Sequence, residues 1–420
     1  MALKRLAAIF ITLVMLCGCS SIGVKKNITG LLSSPKHSQT ESLIVQEIGD
    51  YLGENITLKY SQTQGYSAPI QFVDIDGDKT DEALVFYYAP NKGTNIRFAF
   101  LKNIDEKWEI VFDKEGLGTE VFYFDTIELQ GLAGKQILVG YLPSNINENF
   151  FVTYFTDTQL GNEDYMEVCE DIFIADVTSD GYDDVILTNM LYDNRIRVKV
   201  LTFGQDYTFK TAGTKVLKRG DVQITQVAVS QIYDGKTALY IDYADSYNKL
   251  YTEAGILQGT AIINCLSADT VSRVWEYPYK LNSCDIDGDG IWDIPVVAEN
   301  YQNNDYQVLR NIQWTDYSQN PPQVKMAGIY DTAENIFVAL PQEWQNTVHT
   351  LYNTGFWQVV SDEDETVLVK FEKKETGGAG KINDYSYNTT VGADVWNVKF
   401  HETVQPEYME FILDNIKAFE

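Results

Sequence analysis

Three short stretches of this chain set carboxylates at alternate positions, a spacing suited to holding a hard cation. Asp285, Asp287, Asp289 and Asp293 occupy loop positions one, three, five and nine, and Ile291 at seven offers a backbone carbonyl. Asp74, Asp76, Asp78 and Glu82 repeat the pattern with Glu last and Asp81 beside it as a substitute. Asp176, Asp180 and Asp184 repeat it again, with Thr178 in place of the second acid. Calcium takes about six to eight oxygen ligands, and a tight turn carrying alternate acids brings that many to one point. The expectation is a structural calcium ion in each loop, held more weakly in the second because Thr178 brings no charge. Gly77, Gly288 and Gly290 give these turns the conformational freedom they need. An EF-hand is excluded: its bidentate twelfth ligand would fall on Val85, Leu187 and Val296. The simpler alternative is that the acids only cap turns, as Asp does in many β-turns.

Catalytic chemistry has little foothold. The chain has three histidines, His37, His349 and His401, without HExxH spacing, and it carries no GxSxG elbow. The segment Thr376 to Asn383 contains Gly-Lys, but Ile382 stands where a phosphate loop needs Ser or Thr. The expectation is a protein that is not an enzyme. An extracytoplasmic hydrolase, for example a carbohydrate-active one, using a pair drawn from the 60 acids is the alternative.

The elements that must position the acids form a repeat. Segments beginning at Phe72, Phe173 and Asn282 each run from an apolar or small approach through the acidic loop into an apolar strand. The loops lie roughly 100 residues apart, about twice the length of a four-stranded blade. Degenerate copies stand near the midpoints, in residues 123–142 and 227–244, keeping strand–turn–strand while losing the acids. Further strand-like runs, NIRFAFL, FFVTYFT, RIRVKVLTF and TAIINCL, lie between the loops. The reading is a mainly β fold: a β-propeller of about five four-stranded blades over residues 65–330. These loops resemble FG-GAP or VCBS-type repeats, the blades of integrin-α-like propellers. The resemblance implies structural calcium and a rigid loop face for a protein or glycan ligand, in a binding or scaffold role.

The ends of the chain differ from its middle. Lys4 and Arg5 precede an apolar stretch, Leu6 to Leu16, too short to span a bilayer and followed by Cys17-Gly18-Cys19. This resembles the lipobox of bacterial lipoproteins. It implies a signal peptide over 1–18 and an N-terminal lipid anchor on Cys19, facing the extracytoplasmic side of the cell membrane. Residues 19–41 read as a flexible tether, and 42–64 as a helix from Ser42 to Gly53 with a lead-in. After Pro321-Pro322 the repeat fades, and residues 331–420 read as a small α+β module. Its closing segment, PEYMEFILDNIKAF, reads as one helix with Tyr408, Phe411, Ile412, Ile416 and Phe419 on its apolar face and Lys417 at its negative end.

The net charge of −28 argues against nucleic acid as a partner and against adsorption to an anionic membrane through a basic face. Cys169, Cys265 and Cys284 are too few and too odd for a disulfide framework. A Cys265–Cys284 bridge and buried free thiols both remain open on the sequence.

Overall fold

The computed structural model describes residues 39–419 apart from 64, 65, 67, 145–147, 157–163, 248, 267–280, 299–307 and 375–377. Cys19, the signal segment and most of the tether fall outside the described residues. Helix α1 (Gln39–Leu52) begins within the stretch expected to be tether, and it ends at Gly53, whose φ is 71°. It docks through Ile44 and Ile48, one turn apart, while Leu43 and Tyr51 are exposed. Among the described residues no helix is long and apolar enough to cross a membrane.

Beyond α1 the chain is mainly β. Strand β1 (Thr57–Leu58) flanks a first meander of β2 (Ile70–Val73), β3 (Glu82–Tyr88), β4 (Arg97–Ile104) and β5 (Lys107–Glu115). A second comprises β6 (Glu120–Glu128), β7 (Lys135–Leu142), β8 (Asn149–Tyr154) and β9 (Tyr165–Cys169). The third holds β10 (Ile172–Ala175), β11 (Asp184–Met190), β12 (Arg195–Phe203) and β13 (Phe209–Gly220). In the fourth are β14 (Val222–Ile232), β15 (Lys236–Asp245), β16 (Leu250–Gln258) and β17 (Ala261–Asn264). The fifth has β18 (Asp293–Val297), β19 (Leu309–Asp316), β20 (Gln323–Asp331) and β21 (Ile336–Ala339). A six-stranded antiparallel sheet follows: β22 (Val348–Asn353), β23 (Phe356–Ser361), β24 (Val367–Lys374), β25 (Gly380–Asn383), β26 (Ser386–Val391) and β27 (Asp394–Phe400). Helix α2 (Pro406–Asp414) and strand β28 (Ile416–Ala418) close the chain.

Both midpoint segments form antiparallel hairpins, β6–β7 and β14–β15, as expected. Five separate blades, however, are not what the hydrogen bonding draws. The third and fourth meanders join through a parallel contact between β13 and β17 at Thr214 and Ala261. Together they make one eight-stranded, nearly closed and barrel-like sheet, whose outer strands β10 and β14 also approach each other. Gly213 sits beside that junction, where a Cβ would lie 2.5 Å from Leu257 Cδ2 and push that side chain aside.

The C-terminal boundary also differs. Residue 330 lies inside β20, which pairs with β21, so the fifth sheet crosses the boundary expected between 330 and 331. The final helix stops at Asp414, with Pro406 at its first turn as expected. Ile416 and Lys417 are strand residues instead, because β28 adds to the edge of β21. There the backbone N–H of Phe419 donates to the carbonyl of Asn335 at 3.0 Å. Sheet pairing outcompetes another helical turn.

Buried residues fill the spaces between consecutive sheets. Phe86 and Phe98 of the first meander meet Phe124 and Tyr141 of the second. Phe151 of the second meets Val185 and Leu201 of the third. Trp314 and Tyr330 of the fifth meet Leu250 of the fourth, and Ile329 and Val338 meet Trp357 and Phe371 of the last sheet. Cys169, Cys265 and Cys284 are free thiols, with Cys169 buried and the other two half-buried.

Candidate metal centres

The three acidic loops are one hairpin built three times. In each, the last residue of the approach pairs with the ninth-position acid: Val73 with Glu82, Ala175 with Asp184, Cys284 with Asp293. The backbone turns left-handed at positions four and six in all three. Those positions are Gly77 (φ 79°) and Lys79 (72°), Ser179 (58°) and Gly181 (87°), and Gly288 (82°) and Gly290 (85°). Only the third loop has glycine at both, where a Cβ is disfavoured.

The hydrogen bonds repeat as well. The second-position N–H donates to the ninth-position acid: Ile75 to Glu82 at 2.8 Å, Val177 to Asp184 at 2.9 Å, Ile286 to Asp293 at 3.3 Å. The seventh-position N–H donates to the fifth-position acid: Thr80 to Asp78 at 2.7 Å, Tyr182 to Asp180 at 3.0 Å, Ile291 to Asp289 at 2.8 Å. First-position acids hold the turn itself, as when Asp285 accepts the N–H groups of Gly288, Asp289 and Gly290. Glu82, and not the exposed Asp81, thus takes the ninth-position role in the first loop.

Two of the three loops bring a triad of carboxylates together. Oxygens of Asp74, Asp76 and Asp78 lie within 4.8 Å of one another, as do those of Asp285, Asp287 and Asp289, so either triad could hold a metal ion. In the second loop Thr178 replaces the middle acid, and only Asp176 and Asp180 carry charge at the turn. The ninth-position acids lie beneath the turns: Glu82, Asp184 and Asp293 are all buried. Burial pushes Glu82 and Asp184 above the ordinary carboxylate range. Burial pushes Asp293 up to about 7, and the charges of Asp287, Asp316 and Asp289 add to the rise. One oxygen of Asp293, Oδ1, is buried without a hydrogen-bond partner. A hard divalent cation suits such a donor set: it accepts oxygen ligands only and offsets the crowded negative charge.

Sequence reasoning missed four residues here, because strand pairing and not loop spacing supplies them. Asp316 on β19 pairs directly with Asp293 and is 1% exposed. Lys325 on β20 reaches back to Asp289, whose carboxyl it holds below the usual range. Lys102 on β4 bonds Asp76 at 2.7 Å and lowers it in the same way. Thr202 on β12 occupies the corresponding place in the third meander, bonded to Asp184.

Each loop also touches a neighbouring meander. Lys135 N, at the start of β7, donates to the Ile75 carbonyl at 2.7 Å. Gly134 makes this approach possible, since a Cβ there would sit 2.3 Å from that same oxygen. The Glu128 N–H donates to Asp183 at 3.0 Å, and the Trp292 N–H donates to Ser230 at 2.9 Å. Of the histidines, His349 pairs with Asp362 at 2.7 Å and His401 with Thr403 at 2.9 Å, both in the C-terminal region. Compared with models of known protein families and with curated proteins, the chain matches none.

Proposed function

We propose that this chain is a lipid-anchored, extracytoplasmic binding or scaffold protein, a β-propeller braced by calcium, that presents a rigid loop face to a protein or glycan ligand. The observation that carries the calcium part is the third loop, where three turn carboxylates converge and the ninth-position Asp293 keeps one buried oxygen without a partner. The role of the ion on this reading is structural. The loops bridge consecutive meanders, so an ion held there stiffens the junctions between sheets. Supporting the propeller reading are successive antiparallel meanders whose buried residues meet from one to the next, the third and fourth being joined into one sheet; the six-stranded C-terminal sheet continues the series. The lipid anchor rests on Cys19 and the residues before it.

Oxygen ligands converge only when the hairpin is folded, so calcium binds the native state and stabilises it. The gain is about 2.7 kcal/mol at a free concentration roughly 100 times the dissociation constant. Thermal unfolding of the protein in chelator and in millimolar calcium tests this. The midpoint is expected to rise with calcium, and replacing both Asp287 and Asp289 by Asn removes most of the rise. Identical midpoints with no calorimetric heat of binding would leave the loops as ordinary acidic turns. A pull-down from the native cell envelope then identifies the ligand.

A further inference from the structure

Lys325 lies where the third loop's free oxygens meet. Asp287 and Asp289 each commit Oδ1 to a backbone N–H and turn Oδ2 toward the lysine. The ammonium contacts Asp289 Oδ2 and lies 3.6 Å from both Asp287 Oδ2 and Asp316 Oδ2. We propose that Lys325 is a resident counter-ion of this loop that a divalent cation displaces, and that Asp316 joins the ligand set from the paired strand. The proposal rests on the calcium reading above and adds to it a control on affinity.

Charge and geometry carry the argument. Asp285, Asp287, Asp289, Asp293 and Asp316 come together here, Lys325 is the one ammonium paired with them among the described residues, and Asp293 Oδ1 is buried with no partner. An ammonium offers three donors, whereas calcium draws about six to eight oxygens. Lysine therefore leaves part of the donor set unused and calcium does not. Its flexible four-carbon stem lets the head group leave without moving β20, and the side chain is already 21% exposed. The two loops with a converged triad are also the two with a lysine contact among the described residues, Lys102 from the second strand of its meander and Lys325 from the third; where the first loop has Lys102 the second has Thr202. Lysine thus accompanies the carboxylate charge and not the hairpin as such.

Two consequences follow. Without calcium, Lys325 relieves repulsion and keeps the loop folded. With calcium it competes, so the apparent affinity falls by the fraction of molecules in which the lysine is seated.

The test uses purified full-length protein in which Asp76→Asn and Asp78→Asn silence the first loop. Terbium replaces calcium, and Trp292 within the third loop sensitises its luminescence. Lys325→Met and Lys325→Gln are expected to bind terbium about tenfold more tightly than the parent, a change of one decade in the dissociation constant. Asp316→Asn is expected to weaken binding by a similar factor. Both lysine variants should unfold at lower temperature than the parent in chelator and regain the difference in calcium. A second readout needs no Lys325 variant: reductive methylation of Lys325, followed by mass spectrometry, should speed up several-fold when calcium is added. Equal terbium affinity in parent and lysine variants, or methylation indifferent to calcium, overturns the exchange while leaving the metal site standing. Absence of terbium binding in every protein overturns the calcium reading itself, and the exchange with it.

Discussion

Asp242 shows how much a single buried carboxylate contributes to this molecule. It accepts from Thr252 Oγ1 at 2.6 Å and from the Ser283 N–H at 2.6 Å, tying β15 and β16 to the segment entering the third acidic loop. Burial pushes it up to about 6, and pushes Asp331 to a similar value. Both are raised above the unfolded value near 3.9, so between about pH 4 and 6 the folded chain binds more protons than the unfolded one. Their contribution to stability is fully present below that window and is lost as pH rises through it. Asp242→Asn removes one such group. Relative to the parent, its unfolding free energy is expected to improve by about 2 kcal/mol between pH 4.5 and 7.5. Urea titrations at those two pH values measure it, and parallel pH profiles would show that Asp242 titrates alike in both states.

At the scale of elements, the last strand matters more than its length suggests. β28 joins β21, and beyond it Phe419 stacks on the buried Trp314 with ring centroids 5.6 Å apart. The Asn335 side chain donates to the Phe419 carbonyl and accepts from the Tyr330 hydroxyl. The chain's end is thus stitched into the fifth sheet, next to the β19–β20 pair that supplies Asp316 and Lys325. Phe419→Ala is expected to lower the unfolding free energy by about 2 kcal/mol through lost apolar burial. It should also shift the emission of Trp314 toward that of a wetter indole. Unchanged stability and emission would mean that the terminal strand is only loosely attached.

For the molecule as a whole, the cores sit between consecutive sheets, and the acidic loops tie those sheets together near their hairpins. A structural ion at such a junction acts on more than its own loop. The strong negative charge keeps the surface away from anionic partners, so attachment to a membrane on the proposed reading depends on lipid and not on a basic face. Cys19→Ala is expected to abolish incorporation of labelled fatty acid and to block processing at residue 18. Labelling that survives in this variant and disappears in Cys17→Ala would move the anchor to the other cysteine.

Sequence alone determined the hairpins that carry the acids. Acids at the first, fifth and ninth positions, at least one glycine at a left-handed position and apolar flanks are local instructions, and the three loops adopt the same backbone because each contains them. The mainly β character and both midpoint hairpins were legible for the same reason, since strand and turn preferences act within a few residues. What lies across a strand pair or between sheets was not legible. Asp316 and Lys325 reach the third loop through the pairing of β18, β19 and β20. The joining of the third and fourth meanders runs through the parallel contact of Thr214 with Ala261, residues far apart in the chain. Ile416 and Lys417 fit a helical period as well as a strand, and only the open edge of β21 decided between them. Short-range spacing places donors on a turn, but the burial, charge and hydrogen bonding that set their strength come from residues far away in the chain.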